Sequence, residues 1–270
     1  MAEVEWLAAI DPTPMLESLG TSASTSNRKL RLFCCASCLR AAHLLTEDYV
    51  RYARKALAAF EQHLEGSASD QELQTAWGGV FGDVMDAGAA VAHPGEADYY
   101  AISAAASAVD NTRRDQVASA TAYAASAIAY DSLARSGNPA LSRIAREWTP
   151  TDRPPGYSRE RWARDEEEMR RLPEYVQALA AEQRAQCVLL RDIFGYPGRA
   201  TSIKREWLTS DVVALASSIY QEKAFDWMPI LADALQDAGC EHDDILSHCR
   251  DAKQVHVRGC RVVDLVLGKE

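Results

Sequence analysis

The side chains best suited to chemistry lie at the C-terminal end of the chain. The segment 240–270 holds three of the seven cysteines and three of the six histidines. Thiolates and imidazoles bind transition metals, imidazoles transfer protons, and a thiolate can attack an electrophile. No other stretch of the sequence gathers as many side chains of this kind.

Metal binding is the first chemistry that this segment predicts, because zinc accepts cysteine and histidine together in a tetrahedral shell. The candidate ligands are Cys240, Cys249, His256 and Cys260, with His248 as an alternative. Compact zinc modules usually contain a CxxC pair, and this segment has none. The alternative is therefore that Cys240 and Cys249 are small core residues and that the histidines bond to backbone or to acidic neighbours.

A second cysteine group, CCASC, occupies residues 34–38. Cys35 and Cys38 have the CxxC spacing of metal and redox sites. The apolar positions around them repeat with helical spacing, which places Cys34 and Cys38 on one face and favours a core role. No βαβ pattern flanks the group, so a thioredoxin-like site is not indicated. An alternative is that the two cysteine groups meet in space and form one composite site.

Nucleophilic catalysis is indicated only weakly. Cys249 follows His248 directly, but neighbouring residues on a helix point about 100° apart, and a nucleophile needs a convergent base. Phosphate-binding loops of the GxxxxGK[ST] or GxGxxG type are absent from the sequence.

Periodicity predicts an all-α fold, a bundle of roughly ten or more helices. Pro12 and Pro229 suit first helical turns, whereas Gly239 suits a helix end. The alanine-rich stretch 83–134 predicts two helices separated near residues 93–95. VHVRGCRVV is the one segment that competes as a strand, although Gly259 within it favours a helix that begins just afterwards. In that last helix, Asp264 is expected to pair with Arg258 or Arg261.

Three regions follow from the composition: an N-terminal helical part at 1–148, a proline-rich loop or linker at 149–158, and a C-terminal helical part at 159–270. The helix predicted at 159–172 is highly charged, with pairs such as Glu166 and Arg170 at i, i+4. Trp162 in this helix is a candidate contact for a protein partner.

Charge and hydropathy exclude several classes of protein. A net charge of −10 and a pI near 5.2 argue against a broad nucleic-acid surface. Local nucleic-acid binding through the arginines of 153–171 is a third hypothesis.

The N-terminus lacks the features of a signal peptide, and no apolar run approaches the roughly 20 residues of a membrane span. Seven cysteines in a chain of this size favour reduced thiols and a cytoplasmic location. Nothing indicates the oligomeric state.

Several segments resemble a family of uncharacterised bacterial proteins, and together they cover about half of the chain. They are EWLAAIDPTPMLESL, RKLRLFCCASC, LLRDIFGYPGR, WLTSDVVALASSIYQEKAFDWMPILADALQDAGC, ILSHCR and HVRGCRVVDLVLGKE. The piece at 225–239 also resembles the short helical segment found beside bacterial leucine-rich repeats. Arg261 stands where the family is expected to have tryptophan. The resemblance implies one natural unit but no particular activity or catalytic residue.

Two hypotheses of function rank ahead of local nucleic-acid binding. In the first, the chain is a helical adaptor that binds a protein partner through the linker and the charged helix, and it has no catalytic centre of its own. In the second, it is a zinc-binding protein or metalloenzyme that uses the C-terminal Cys/His cluster.

Overall fold

The computed structural model describes residues 1–20, 25–44, 47–73, 75, 101, 104, 115–140, 159–199 and 201–269, without the side chains of 47–53, 115, 116 and 159–162. Within these residues every regular element is a helix, and no strand occurs. The all-α prediction is confirmed. The candidate linker 149–158, the side chain of Trp162 and the break near residues 93–95 lie outside the described part of the chain.

Eleven α-helices have defined bounds in the described part and are numbered in chain order. They are α1 (Glu3–Ala8), α2 (Pro12–Gly20), α3 (Asn27–Ala41), α4 (Glu47–Leu64), α5 (Asp115–Arg135), α6 (Arg159–Arg170), α7 (Pro173–Phe194), α8 (Ser210–Glu222), α9 (Met228–Asp237), α10 (Asp243–Arg250) and α11 (Arg261–Leu267). The chain divides into two compact units, residues 1–36 with 185–270 and residues 37–184. None of the described helices has the length and apolar character that a membrane span requires.

Local sequence explains where these helices begin and end. Asp11 precedes α2, and its carboxylate accepts a hydrogen bond from the backbone N–H of Thr13 at 2.9 Å. Thr209 caps α8 in the same way, with its hydroxyl oxygen accepting from Val212 N–H at 3.3 Å. Gly239 follows α9 with φ of +87°, a left-handed conformation that costs glycine little.

The C-terminal helices α8 to α11 share one apolar core. Val212, Ile219, Leu231, Leu235 and Val263 are all completely buried in it. Helix α9 packs against α8 and α10, and α8 packs against α11. This core is formed by residues between 203 and 267, so it fixes α8 to α11 relative to one another.

In the unit 37–184, buried polar contacts accompany the packing. The guanidinium of Arg40 donates two hydrogen bonds, at 2.7 and 2.8 Å, to the carboxylate of Glu182, whose side chain is only 3% exposed. The rings of Tyr130 and Tyr175 meet edge to face with centroids 4.8 Å apart. Periodicity also predicts Val176 on the inward face of α7, and this is wrong: Val176 is exposed, and its neighbour Tyr175 is buried instead.

Candidate metal centre

Four side chains able to bind a metal converge in the unit formed by residues 1–36 and 185–270. Asp192 lies near the C-terminal end of α7, His248 lies on α10, and His256 and Cys260 lie between α10 and α11. One ligand atom from each of the four lies within 4.8 Å of the other three. This group can therefore hold a metal ion.

Asp192 is the centre of this group. Its Oδ1 atom accepts from Nδ1 of His256 at 2.7 Å and lies 3.2 Å from Nε2 of His248. Its Oδ2 atom accepts from the backbone N–H of Val257 at 3.0 Å. The carboxylate thus joins the end of α7 to two points of the segment that follows α10.

Cys260 completes the group on the other side of the histidines. Its Sγ atom lies 3.3 Å from Nε2 of His248 and 3.7 Å from Nδ1 of His256. The two imidazole rings stand nearly perpendicular, with centroids 4.9 Å apart. Nε2 of His248 and Nδ1 of His256 therefore both face the space that Asp192 and Cys260 border.

Burial sets the charge states of these groups. Asp192 and Cys260 are completely buried, and the side chains of His248 and His256 are 8% and 5% exposed. Burial alone would raise the pKa of Asp192, but the hydrogen bonds from His248 and His256 lower it overall, so the carboxylate stays ionised. Burial lowers the pKa of His248 and raises that of Cys260 well above its ordinary value. At neutral pH, without a metal, His248 is neutral and Cys260 is a thiol.

A tight turn places Cys260 at the site. The backbone N–H of Cys260 donates to the carbonyl of Val257 at 2.9 Å, and Gly259 between them has φ of +93°. A Cβ atom on Gly259 would lie 3.1 Å from Cδ1 of Leu32 and 3.4 Å from its Cβ. Glycine is therefore needed both for the backbone conformation and for the close approach to α3.

Arg261 begins α11 and borders the group from outside. Its Nη2 atom donates to the carbonyl of Asp244 at 3.0 Å, and its side chain lies against Gly195. The positive charge of Arg261 contributes to lowering the pKa of His248. Arg261, at the position where the resemblance predicts tryptophan, therefore links α11 to α10 and to the turn after α7.

The structure brings together three of the five residues that the sequence indicates as ligands, namely His248, His256 and Cys260. Cys240 and Cys249 are each 1% exposed and belong to the apolar core of α8 to α11. Burial raises the pKa of Cys249 to about 12. Neither thiol is a member of the four-residue group.

Sequence reasoning missed Asp192, although one signal was present. An acidic residue in the last turn of a helix faces the negative end of the helix dipole, which is unfavourable. Asp192 occupies that position in α7, directly before the buried Ile193. A residue that breaks a local rule in this way often belongs to a functional site.

The cysteines of residues 34–38 are buried core residues. Cys34, Cys35 and Cys38 are at most 3% exposed, and burial raises the pKa of Cys34 to about 12. Among the described residues, the Asp192 group is the one set of three or more potential ligands close enough to share an ion.

The geometry does not favour a cysteine nucleophile. Cys260 and His248 are within reach of each other, but the thiol is completely buried and its pKa is raised. Reactive cysteines are partly exposed and have lowered pKa values. The same argument applies to Cys249.

Comparison with known proteins adds no relative: no family model, no curated protein and no solved structure matches the chain. The resemblance to uncharacterised bacterial proteins therefore stays a prediction.

Proposed function

We propose that this chain is a zinc-binding protein and that the ion has a structural role. The observation that supports the proposal is the convergence of Asp192, His248, His256 and Cys260 around one point. Oxygen, nitrogen and sulfur ligands in a set of four are typical of zinc, whereas calcium and magnesium need mainly oxygen ligands.

The distances suit a tetrahedral ion after small movements. Zinc bonds of 2.0–2.3 Å imply separations of about 3.3–3.6 Å between neighbouring ligand atoms. Nε2 of His248 lies 3.2 Å from Oδ1 of Asp192 and 3.3 Å from Sγ of Cys260. Nδ1 of His256 lies 3.7 Å from that sulfur but only 2.7 Å from Oδ1 of Asp192. The pair formed by Asp192 and His256 must open by roughly 0.6 Å on the tetrahedral estimate, and the widest separations in the group, up to 4.8 Å, must close.

Charge balance favours a divalent cation. The Asp192 carboxylate and a Cys260 thiolate carry two negative charges, and the two imidazoles are neutral as ligands. A divalent ion makes this buried site electrically neutral, which avoids the large cost of an uncompensated buried charge. Because Cys260 is protonated without metal, zinc binding must release its proton.

One cost accompanies binding at His256. When the metal takes Nδ1, the imidazole proton moves to Nε2, which is buried and lacks a hydrogen-bond partner within the described part of the chain. Such a group costs about 1–3 kcal/mol. Structural zinc contributes about 10–16 kcal/mol in small domains, so this cost does not prevent binding.

A structural role fits better than a catalytic one. Catalytic zinc usually has three protein ligands and an open position for water or substrate. Here four protein side chains face the same space, and none of them is more than 8% exposed.

Metal analysis tests the proposal. Protein purified without chelators is expected to contain about one equivalent of zinc, and cobalt should replace it with a sulfur-to-cobalt charge-transfer band. The variant Cys260→Ala should lose that band and most of the zinc, whereas Cys240→Ala, a matched change at a buried thiol outside the group, should keep both. Less than about a tenth of an equivalent of any transition metal, together with no cobalt uptake, would overturn the proposal.

The adaptor hypothesis stays a prediction. Its linker at 149–158 and the side chains of 159–162 lie outside the described residues. The described part of the charged helix contains the expected pair, with Nη2 of Arg170 2.6 Å from Oε1 of Glu166. A structural zinc site is compatible with a protein that acts by binding a partner.

A further inference from the structure

We infer that the metal acts as a latch for residues 251–259, so that metal binding orders this loop against α7 and metal loss releases it. The inference rests on the proposed zinc site and concerns its consequence for conformation. It requires that the loop be held weakly by its own packing and strongly by the ligand group.

The loop contributes little to the apolar core. From Asp251 to Arg258 the residues are exposed or half-buried, and Val255 is 47% exposed. The ring of His256 is the inward exception, with its side chain 5% exposed. Segments with few buried apolar contacts open at low free energy even in stable proteins.

The polar contacts of the loop converge on Asp192. Both His256 and Val257 donate to its carboxylate, at 2.7 and 3.0 Å. Arg258 adds bonds to the carbonyls of Tyr220 and Gln221 at 3.2 and 3.1 Å. The loop is therefore attached mainly at its C-terminal half, through a residue of the proposed metal site.

The four ligands are distributed so that one ion would bridge three elements. Asp192 belongs to α7, His248 to α10, and His256 and Cys260 to the loop and its end. An ion bonded to all four side chains would hold both ends of the loop and its middle to α7. The ion can bond to all four side chains only when the loop is ordered as it is in this structure. The free energy of metal binding therefore stabilises the ordered loop.

Trypsin can report on this loop because Lys253 and Arg258 both lie in it. Metal-free protein and protein with one equivalent of zinc are digested briefly in calcium-containing buffer, and the fragments are identified by mass. Zinc is expected to slow cleavage after Lys253 and Arg258 about tenfold or more, because cleavage requires local opening. Cleavage after Arg171, an exposed residue between α6 and α7 in the unit 37–184, is the internal reference and should not change.

The variant His248→Gln separates the metal from the loop's own hydrogen bonds. His248 lies on α10, so this change removes a ligand and leaves both bonds from the loop to Asp192 in place. The variant should be cleaved at the rate of metal-free protein whether or not one equivalent of zinc is present. Circular dichroism establishes whether the variant is folded. If the variant is unfolded, the comparison of wild-type protein with and without zinc decides the question by itself.

Two further outcomes are distinguishable by measuring zinc content in the same samples. If wild-type protein binds one equivalent of zinc and cleavage in the loop is unchanged, the latch is wrong and the zinc site stands. If it binds no metal, the proposed function fails and the latch fails with it.

Discussion

Nδ1 of His256 lies 2.7 Å from Oδ1 of Asp192, although the two residues are 64 positions apart in the sequence. The contact joins a loop with little apolar packing to the end of a long helix. It places a buried carboxylate beside two imidazoles and a thiol. Because each of these groups is costly to bury alone, the stability of this part of the chain depends on the set as a whole.

Asp192→Asn is expected to weaken zinc binding strongly and to destabilise the metal-free protein. The amide can still accept from Val257, but it brings no negative charge to offset the metal or to accept from both histidines. We expect a loss of about 2–3 kcal/mol in the free energy of unfolding without metal. Urea denaturation in the presence of a chelator measures it.

Asp237→Asn is the matched control, since Asp237 is exposed at the end of α9. It should change the free energy of unfolding by less than about 0.5 kcal/mol. Equal effects of the two substitutions would mean that the Asp192 carboxylate is not the centre of a stabilising network.

Gly259→Ala tests the turn that presents Cys260. Alanine at φ of +93° is strained, and its Cβ would lie 3.1 Å from Leu32. Gly239→Ala is the control, because φ there is +87° but nothing lies within 4 Å of the added atom. Both should be destabilised by about 1 kcal/mol from the backbone, and Gly259→Ala by a further 1–2 kcal/mol from crowding.

Thermal denaturation of both glycine variants, followed by cobalt titration, is the measurement. Only Gly259→Ala should also reduce metal affinity, because a shift of the turn moves Cys260. If the two variants are equally stable, the contact with Leu32 has room to relax and the turn is less constrained than the distances indicate.

Much of the fold was predictable from short-range sequence features. The polar caps Asp11 and Thr209, and the Pro229 and Gly239 boundaries of α9, act within a few residues of themselves. Such signals depend little on tertiary packing, so they place helix ends correctly. Which face of a helix is buried was less predictable. Periodicity predicts Trp6 and Leu7 on one face of α1, but Leu7 is 57% exposed, whereas Trp6 is buried.

Three of the four ligands were predictable from the sequence, and the fourth was not, for a physical reason. His248, His256 and Cys260 lie within 13 positions, and their residue types alone suggested metal binding. Asp192 joins them only through tertiary packing. Cys240, Cys249 and Cys260 share one residue type and all three line the apolar core of α8 to α11, but of the three it is Cys260 whose Sγ lies 3.3 Å from His248 and 3.7 Å from His256. Residue type does not contain that information.

Asp264 forms a buried ion pair with Arg28, whereas the sequence predicted a pair with Arg258 or Arg261. Nη1 of Arg28 lies 2.8 Å from Oδ2 of Asp264, whose side chain is 1% exposed, and Nη2 donates to the hydroxyl of Tyr220 at 2.7 Å. Arg28→Met would leave the carboxylate in a buried site without its guanidinium. We expect a loss of about 3–5 kcal/mol in the free energy of unfolding.

A double variant and a surface control sharpen this prediction. Arg28→Met combined with Asp264→Asn should cost less than the sum of the two single changes, because the second removes the stranded charge. Arg250→Met, which breaks the exposed pair with Asp233, should cost no more than about 1 kcal/mol. Additive single and double variants would show that the pair is not coupled.

Alkaline pH is expected to destabilise the protein through its buried thiols, and Cys34 is the clearest case. Burial raises its pKa from 9.0 to about 12, against the opposite effect of the nearby Arg31. Above pH 9 the unfolded chain loses the thiol proton while the folded chain keeps it, so the folded state binds more protons. The stabilisation is thus complete below pH 9 and declines as the pH rises toward 12, at about 1.4 kcal/mol per pH unit for one thiol.

Urea denaturation of metal-free protein at pH 7, 9 and 10 measures the decline, to which Cys249 also contributes. Cys34→Ala should reduce the slope above pH 9 by the share of one thiol, whereas its cavity cost is independent of pH and is read at pH 7. An unchanged slope in this variant would mean that Cys34 ionises equally in the folded and unfolded chains.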